Sequence, residues 1–329
     1  MKHSLADRVV DWFLNNRRSL PWRETSDPYR IWVSEVMLQQ TTVATVIPYY
    51  HKFLQLFPSI QSLAESQESD VLKAWQGLGY YRRAKNLRLG AQFLMEKFQG
   101  KMPQSLAEIL EVPGIGRYTA GAILSIAHRL PTAALDGNLI RVYSRHEGIQ
   151  DPVDDTKVLK RLWRIAESHL PTDARVSREF TEGMMELGAL VCRPRQPLCL
   201  QCPIRKSCKA HADDLAQEIP RKQKRIRRRK ISELVFWWEK DDRLGLLPTG
   251  ADSKFPDFLR LPFKTLPDGE KPMEFDKKFK YSVTDRDFEV YLVKKSVRDK
   301  RIKWLSWKQV EDILLPTIDR KIIRSMKDS

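Results

Sequence analysis

Residues 112–138 hold a five-residue turn and a solitary acid that narrow what this chain can become. Val112-Pro113-Gly114-Ile115-Gly116 is entered from one helical pattern (Leu106, Ile109, Leu110) and left through another (Tyr118, Ala122, Ile123, Ile126), which predicts a tight turn between two helices. Glycine lacks a Cβ, so Gly114 and Gly116 permit positive φ and let a rod-like ligand approach the backbone. The helix that follows begins with unpaired amide N–H groups suited to a phosphate. This is the outline of a clamp on a nucleic acid backbone. Twenty residues after Gly116 comes Leu135-Asp136-Gly137-Asn138, a carboxylate in a turn just past the helix that the clamp begins. An acid beside a polyanion does not add affinity. Either motif alone is also an ordinary turn or cap, so the weight falls on their company.

The charge balance agrees with a polyanionic partner: 58 Lys and Arg against 42 Asp and Glu leave a net +16. A chain of 329 residues is long enough for two domains. No stretch approaches a membrane span, and Met1 to Leu20 is charged and amphipathic rather than signal-like, so a cytosolic, nucleoid-associated protein is expected. In a reducing compartment the four cysteines, all between Cys192 and Cys208, read as ligands rather than as two disulfides. Cys192, Cys199, Cys202 and Cys208 offer four thiolates for a tetrahedral zinc or an iron–sulfur cluster, and spacing does not choose between them. Arg193, Arg195, Arg205, Lys206 and Lys209 decorate the same loops as a basic surface.

A helix from Asp27-Pro28 to Gln40 puts Ile31, Glu35 and Leu38 on one face. A carboxyl between two apolar neighbours is desolvated, and its raised pKa keeps it protonated near neutrality as a general acid. Gln39, Gln40 and Thr41 follow as groups suited to base edges and phosphates. Earlier, Arg17 to Arg23 forms a loop rich in side chains able to stack on or bind a nucleotide. Further helices are expected at about Thr42–Phe57, Gln61–Gln76, Tyr81–Phe98, Leu139–Tyr143, Thr156–His169 and Ser177–Val191. The loop Gly77-Leu78-Gly79-Tyr80-Tyr81-Arg82-Arg83 sets stacking rings beside phosphate binders, in the manner of a duplex wedge. After Pro220, eight basic residues in ten (221–230) read as a linker. The remainder (231–329) is a small α+β domain, with strands at Leu234–Trp238, Leu244–Leu247, Phe288–Val293 and Lys303–Leu305. A helix capped by Ser306 and Gln309 and another at Ile318–Met326 follow.

With these residues assembled, the chain over about 5–220 resembles the MutY-type adenine DNA glycosylases of the helix–hairpin–helix glycosylase superfamily. The resemblance rests on Leu20-Pro21-Trp22-Arg23, Ser34 to Thr41, Gly77 to Tyr81, Val112 to Gly121, Leu135 to Asn138 and the cysteine spacing. It implies a mainly α catalytic domain (1–220) of two subdomains with the active site between them, a [4Fe-4S] cluster on the four cysteines, and a small MutT-like lesion-recognition domain in shortened form (231–329). The implied partner is double-stranded DNA carrying adenine opposite 8-oxoguanine or guanine, bound by a monomer. Glu35 would protonate the flipped adenine and Asp136 stabilise the sugar cation, electrostatically or through a transient bond. Tyr118 and Asn138 would line the site, Trp22, Arg23 and Glu182 contact the base, and Gln40 and Tyr80 enter the base stack.

Several residues depart from that pattern. Thr42 stands where the family usually has glutamine. The family's Phe-Ser-His lesion-reading loop is matched best by Val283-Thr284-Asp285, with Thr284 keeping a serine-like contact. No G-x5-E-x7-R-E-x-x-E-E-x-G signature occurs, so pyrophosphate hydrolysis is not expected. A related class on the same scaffold uses a lysine two residues after the second hairpin glycine to form a Schiff base. Tyr118 holds that place and cannot form an imine, which favours a monofunctional glycosylase over a lyase. A non-catalytic DNA-binding protein is the reading from another class, and the presence of both Glu35 and Asp136 speaks against it.

Overall fold

The computed structural model describes residues 4–223, 229–249, 258–283 and 286–328. The chain divides into two units, 1–224 and 225–329. The first is helical: α1 (Leu5–Asn16), α2 (Pro28–Leu38), α3 (Val43–Leu56), α4 (Ile60–Glu65), α5 (Glu68–Trp75), α6 (Arg82–Phe98), α7 (Leu106–Ile109), α8 (Arg117–Ile126), α9 (Gly137–Glu147), α10 (Thr156–Ser168), α11 (Ser177–Leu190) and α12 (Lys209–Ala212). Seven of these starts are set by side-chain caps: Ser4, Asp27, Thr42, Ser59, Ser105, Asp136 and Asp155 each accept a first-turn amide. One expected helix, Gln61–Gln76, is two. Ser66 bonds the Leu63 carbonyl with its hydroxyl, and its own carbonyl is taken by Arg88 Nε at 2.7 Å, which ends α4 before α5 begins.

Two helical layers follow from where the apolar faces point. One core joins α1, α9, α10 and α11 through Val9, Leu139, Val142, Leu162, Phe180 and Leu187. Around α2, by contrast, pack α3, α6 and α8, burying Trp32, Phe53, Leu87 and Ile123. Chain segment 133–136 crosses against α8 at Gly121, where a Cβ would stand 2.0 Å from the Ala133 carbonyl oxygen. That close approach delivers Asp136 to the first residue of α9. Among the described residues no helix is long and apolar enough to cross a membrane.

The second unit carries strands β1 (Arg229–Trp237), β2 (Glu239–Lys240), β3 (Arg243–Pro248), β4 (Leu259–Arg260), β5 (Phe263–Thr265), β6 (Lys277–Val283), β7 (Arg286–Lys294) and β8 (Lys303–Ser306), then helices α13 (Trp307–Asp312) and α14 (Thr317–Lys327). One sheet has the order β5-β1-β7-β6, with β1 and β7 parallel and the other pairs antiparallel; β2, β3, β4 and β8 form another. The capping box of Ser306 and Gln309 is present. β1 begins at Arg229, two residues inside the stretch read as a linker, because Arg229 and Lys230 continue the ladder with Arg286 and Asp287. Thr284 and Asp285 lie outside the described residues.

Candidate active site

A cavity of about 600 Å³ opens in the helical unit, walled by the loop of Arg18 to Arg23, α2, the start of α3, the helix after the hairpin, residues 136–138 and α11. Glu35 projects into it from α2 and is only 5% exposed. Its carboxyl is raised to about 7, foremost by burial, with the nearby charges of Asp136 and Glu182 adding and the hydrogen bond from Tyr118 opposing. Tyr118 Oη donates to Glu35 Oε2 at 2.5 Å. Burial, then the carboxylates of Glu35 and Asp136, push the Tyr118 hydroxyl well above its ordinary range, so the proton of that bond stays with the phenol.

Asp136 is held differently. As the cap of α9 it accepts the Leu139 amide at 2.7 Å on one oxygen and Asn138 Nδ2 at 3.0 Å on the other. Asn138 is in turn fixed by Arg141, which donates to its Oδ1 at 2.9 Å. Burial lifts Asp136 above the usual aspartate value, and these donors restrain the rise by favouring the ionised form. One carboxyl with a single donor and another gripped by several is the arrangement that separates an acid from an anion.

The far wall is built on α11. Glu182 lines the cavity, raised by burial, with Arg178 Nε 3.4 Å from it. One turn on, Glu186 receives Arg18 at 2.6 Å and Arg23 at 2.9 Å. Burial opposes, yet these bonds together lower Glu186 to about 2. Arg23 thus faces the cavity with its guanidinium oriented by Glu186. Trp22 is buried and meets the Tyr50 ring edge-on at 5.5 Å while contributing to the wall. Arg178 and the ion pairs of Glu186 are not legible in the sequence, and Arg18, part of the loop expected to bind a nucleotide, is instead bonded to Glu186. Glu186 follows Glu182 by four residues on an otherwise buried helical face, and that was the available signal.

The hairpin glycines differ. Gly114 has φ +84, and a Cβ there would sit 2.7 Å from that of Asn86, so only glycine suits it. Gly116 has φ −95, which any residue adopts, so the expected need for positive φ fails there; its Cβ direction meets nothing within 4 Å, and it caps α8 toward open space. In the second glycine loop Tyr81 is buried, leaving Tyr80 exposed. Arg83, read as a phosphate binder, turns inward instead: its guanidinium donates to backbone carbonyls. Gln40 is exposed on the rim of the cavity.

Cys192, Cys199, Cys202 and Cys208 line a second cavity. No three of their sulfurs lie within 4.8 Å of one another among the described residues. A single tetrahedral zinc, with Zn–S bonds of ~2.3 Å, needs sulfurs closer than about 4 Å, so the set fits a wider, multi-iron group better. Burial pushes the Cys202 thiol up to about 12, so ionising it calls for a strong local cation. Arg145 fastens this loop to α9, donating to Cys192 Sγ at 3.3 Å and to the carbonyls of Arg193, Pro194 and Ile219. Nearby, Glu147 joins His146 at 2.8 Å and Lys209 at 3.0 Å, a latch between α9 and the loop.

The chain matches the HhH-GPD superfamily of base excision DNA repair proteins over residues 33–168. Its fold aligns with a thermostable thymine-DNA glycosylase at 30% identity and TM-score 0.58, over 63% of this chain and 95% of that one. A trapped endonuclease III–DNA covalent intermediate aligns at 22% identity and TM-score 0.54, over 64% and 95%, a likeness of fold alone. Fold and cavity together define a helix–hairpin–helix base-excision glycosylase. An adenine DNA glycosylase from Buchnera aphidicola is 41% identical over 249 residues, 73% of this chain and 71% of that relative. The chain belongs to the adenine DNA glycosylase family.

Proposed function

We propose that this protein removes adenine mispaired with 8-oxoguanine or guanine from double-stranded DNA, as a monomeric, monofunctional glycosylase of the cytoplasm and nucleoid. The observation that carries the reading is one cavity holding a carboxyl raised to about 7, Glu35, together with the amide-gripped Asp136. An N-glycosidic bond breaks readily when the leaving base is protonated and the sugar's developing positive charge is stabilised. A flipped adenine entering between Trp22, Arg23 and Glu182 meets Glu35, which delivers the proton, while Tyr118 keeps the carboxyl aimed. Asp136, aligned by Leu139 and Asn138, stabilises the sugar cation until water adds. Tyr118 has no amine with which to form a Schiff base, so the strand is left intact at an abasic site.

Gly114 and Gly116 present the start of α8 to a phosphate. Cys192, Cys199, Cys202 and Cys208 hold a [4Fe-4S] cluster, which supplies a rigid cross-link of the loop and no proton chemistry. Exposed Arg195 and Lys206 then rest on the backbone. The second unit acts as a shortened MutT-like reader, in which Thr284 keeps part of the contact to 8-oxoguanine and Asp285 brings a negative charge; the preference for 8-oxoguanine:adenine over guanine:adenine is weaker than in relatives.

The test is incubation with duplexes carrying 8-oxoguanine or guanine opposite adenine, under single turnover, with and without alkali. Strand breaks only after alkali support the reading; breaks without it indicate a lyase, and none at all overturn excision. Binding should fall with salt at a slope of about −0.9 per phosphate contact.

A further inference from the structure

Gln40 and Tyr80 share a backbone feature that sequence does not reveal. Each is a non-glycine residue in the left-handed region, at φ +58 and φ +49, and both side chains are exposed. Such conformations persist where surrounding contacts impose them. A single guanidinium makes those contacts on both sides. Arg83 Nη1 donates to the carbonyls of Val36 at 2.8 Å, Met37 at 3.0 Å and Gln39 at 2.5 Å, which are the last, unpaired carbonyls at the end of α2. Its Nη2 donates to the carbonyls of Leu78 and Gly79, both at 3.2 Å, immediately before Tyr80. The same group lies 5.6 Å from the Tyr80 ring centroid and 5.4 Å from that of Trp75. Trp75 Nε1 in turn donates to the Gly79 carbonyl. Burial lowers Arg83 to about 10, and it remains charged at neutral pH.

We propose that Arg83 is the positioning residue of the wedge, one planar fork that sets Gln40 and Tyr80 together for entry into the base stack. This rests on the reading of the chain as a base-flipping glycosylase. A fork is required because the acceptors lie on two separate segments; a lysine ammonium carries the charge without that reach. Arg83 touches no cavity residue that handles the proton, so it acts on unstacking and leaves the cleavage step alone.

The experiment places 2-aminopurine beside adenine in an 8-oxoguanine duplex and follows its fluorescence and base excision under single turnover. Wild type, Arg83→Gln, Arg83→Lys, Tyr80→Ala and the Tyr80→Ala/Arg83→Gln double variant are compared. The expected result is that unstacking slows about 10²-fold in Arg83→Gln, the scale for a misplaced group, and less in Arg83→Lys. The double variant should be little slower than Tyr80→Ala, and the midpoint of the pH–rate profile should stay at the wild-type value. Unaltered unstacking, additive losses or a shifted midpoint would each overturn the proposal. Should Arg83→Gln not fold, Arg83→Lys carries the same comparison. Absence of excision by wild type counts against the glycosylase reading instead, and that control separates the two.

Discussion

Glu35 in the helical unit and Asp319 in the second unit are both carboxyls on helices, and burial raises each to about 7. Their surroundings differ. Glu35 borders a cavity of about 600 Å³ and receives the Tyr118 hydroxyl. Asp319 is 0% exposed, neither of its oxygens makes a hydrogen bond of ordinary geometry, and its nearest cation is Arg260 Nε at 3.9 Å. Arg260 also reaches Glu233 at 3.5 Å and lies over the Phe263 ring. A raised pKa alone therefore does not mark a site. A working acid also needs an opening toward a substrate and a partner that aims it, and without them the same shift is only a cost to stability.

The comparison can be broken most sharply by Glu35→Gln, which keeps the shape and removes the proton. Excision should fall by ~10²–10⁴, with duplex binding nearly intact, whereas Asp319→Asn should excise at the wild-type rate. Single-turnover rates and gel-shift binding decide this; an active Glu35→Gln protein ends the assignment of Glu35 as acid. Next in size is the pH profile. On the proposed mechanism Glu35 works protonated, so the rate should drop about tenfold per unit above its value of about 7. A rate still level at pH 9 contradicts it.

Tyr118→Phe brings Glu35 closer to the condition of Asp319. Its hydrogen bond lowers the Glu35 pKa, so its loss should move the falling limb to higher pH. Because aim is lost as well, the plateau should drop by about tenfold or less. An unmoved limb would show that the hydroxyl does not tune the acid.

The smallest effect on the reaction belongs to Asp319→Asn, which acts on stability instead. In the folded protein this carboxyl keeps its proton to about 7, while the unfolded chain releases it near 3.8. Its contribution is thus fully present below 3.8 and is lost as pH rises through about 7. Replacing it should stabilise the second unit above pH 7 by on the order of 4 kcal/mol, from a rise of about three units at ~1.36 kcal/mol each, a gain that shrinks toward pH 4. Melting curves at several pH values test this, and a gain independent of pH would refute a charging cost.

How much of this was legible follows from range. Glu35 could be read because its desolvating neighbours, Ile31 and Leu38, are on its own helix, and Asp136 because turn and cap are local. Asp319 could have been noticed, since it sits three and four residues before Ile322 and Ile323 on the buried face of α14. β6 was overlooked although Phe279 and Tyr281 alternate with Lys278 and Lys280, because the lysines make the segment resemble a solvated loop. Glu186 is legible only as the residue one turn after Glu182, and its pairing, like that of Arg83, is beyond reach: their partners lie 163 and 44 residues away, at Arg23 and Gln39. The two glycines of the hairpin looked alike in sequence, and only the path of the backbone distinguishes them.

The charges lining the cavity have a consequence for traffic. Far from the surface the protein is a strong cation, at +16, and draws any polyanion toward it. Inside the cavity that excess is gone: Arg18 and Arg23 are bonded to Glu186, Arg178 lies beside Glu182, and Asp136 adds an acid, so the charges around it nearly cancel. A phosphate drawn in by the long-range field gains no net attraction inside the cavity, whereas a base about to become a cation would meet carboxylates there. On the proposed mechanism one nucleotide is thereby divided, its phosphates outside and its base inside, and free nucleotides, which cannot leave their phosphates behind, should make poor occupants.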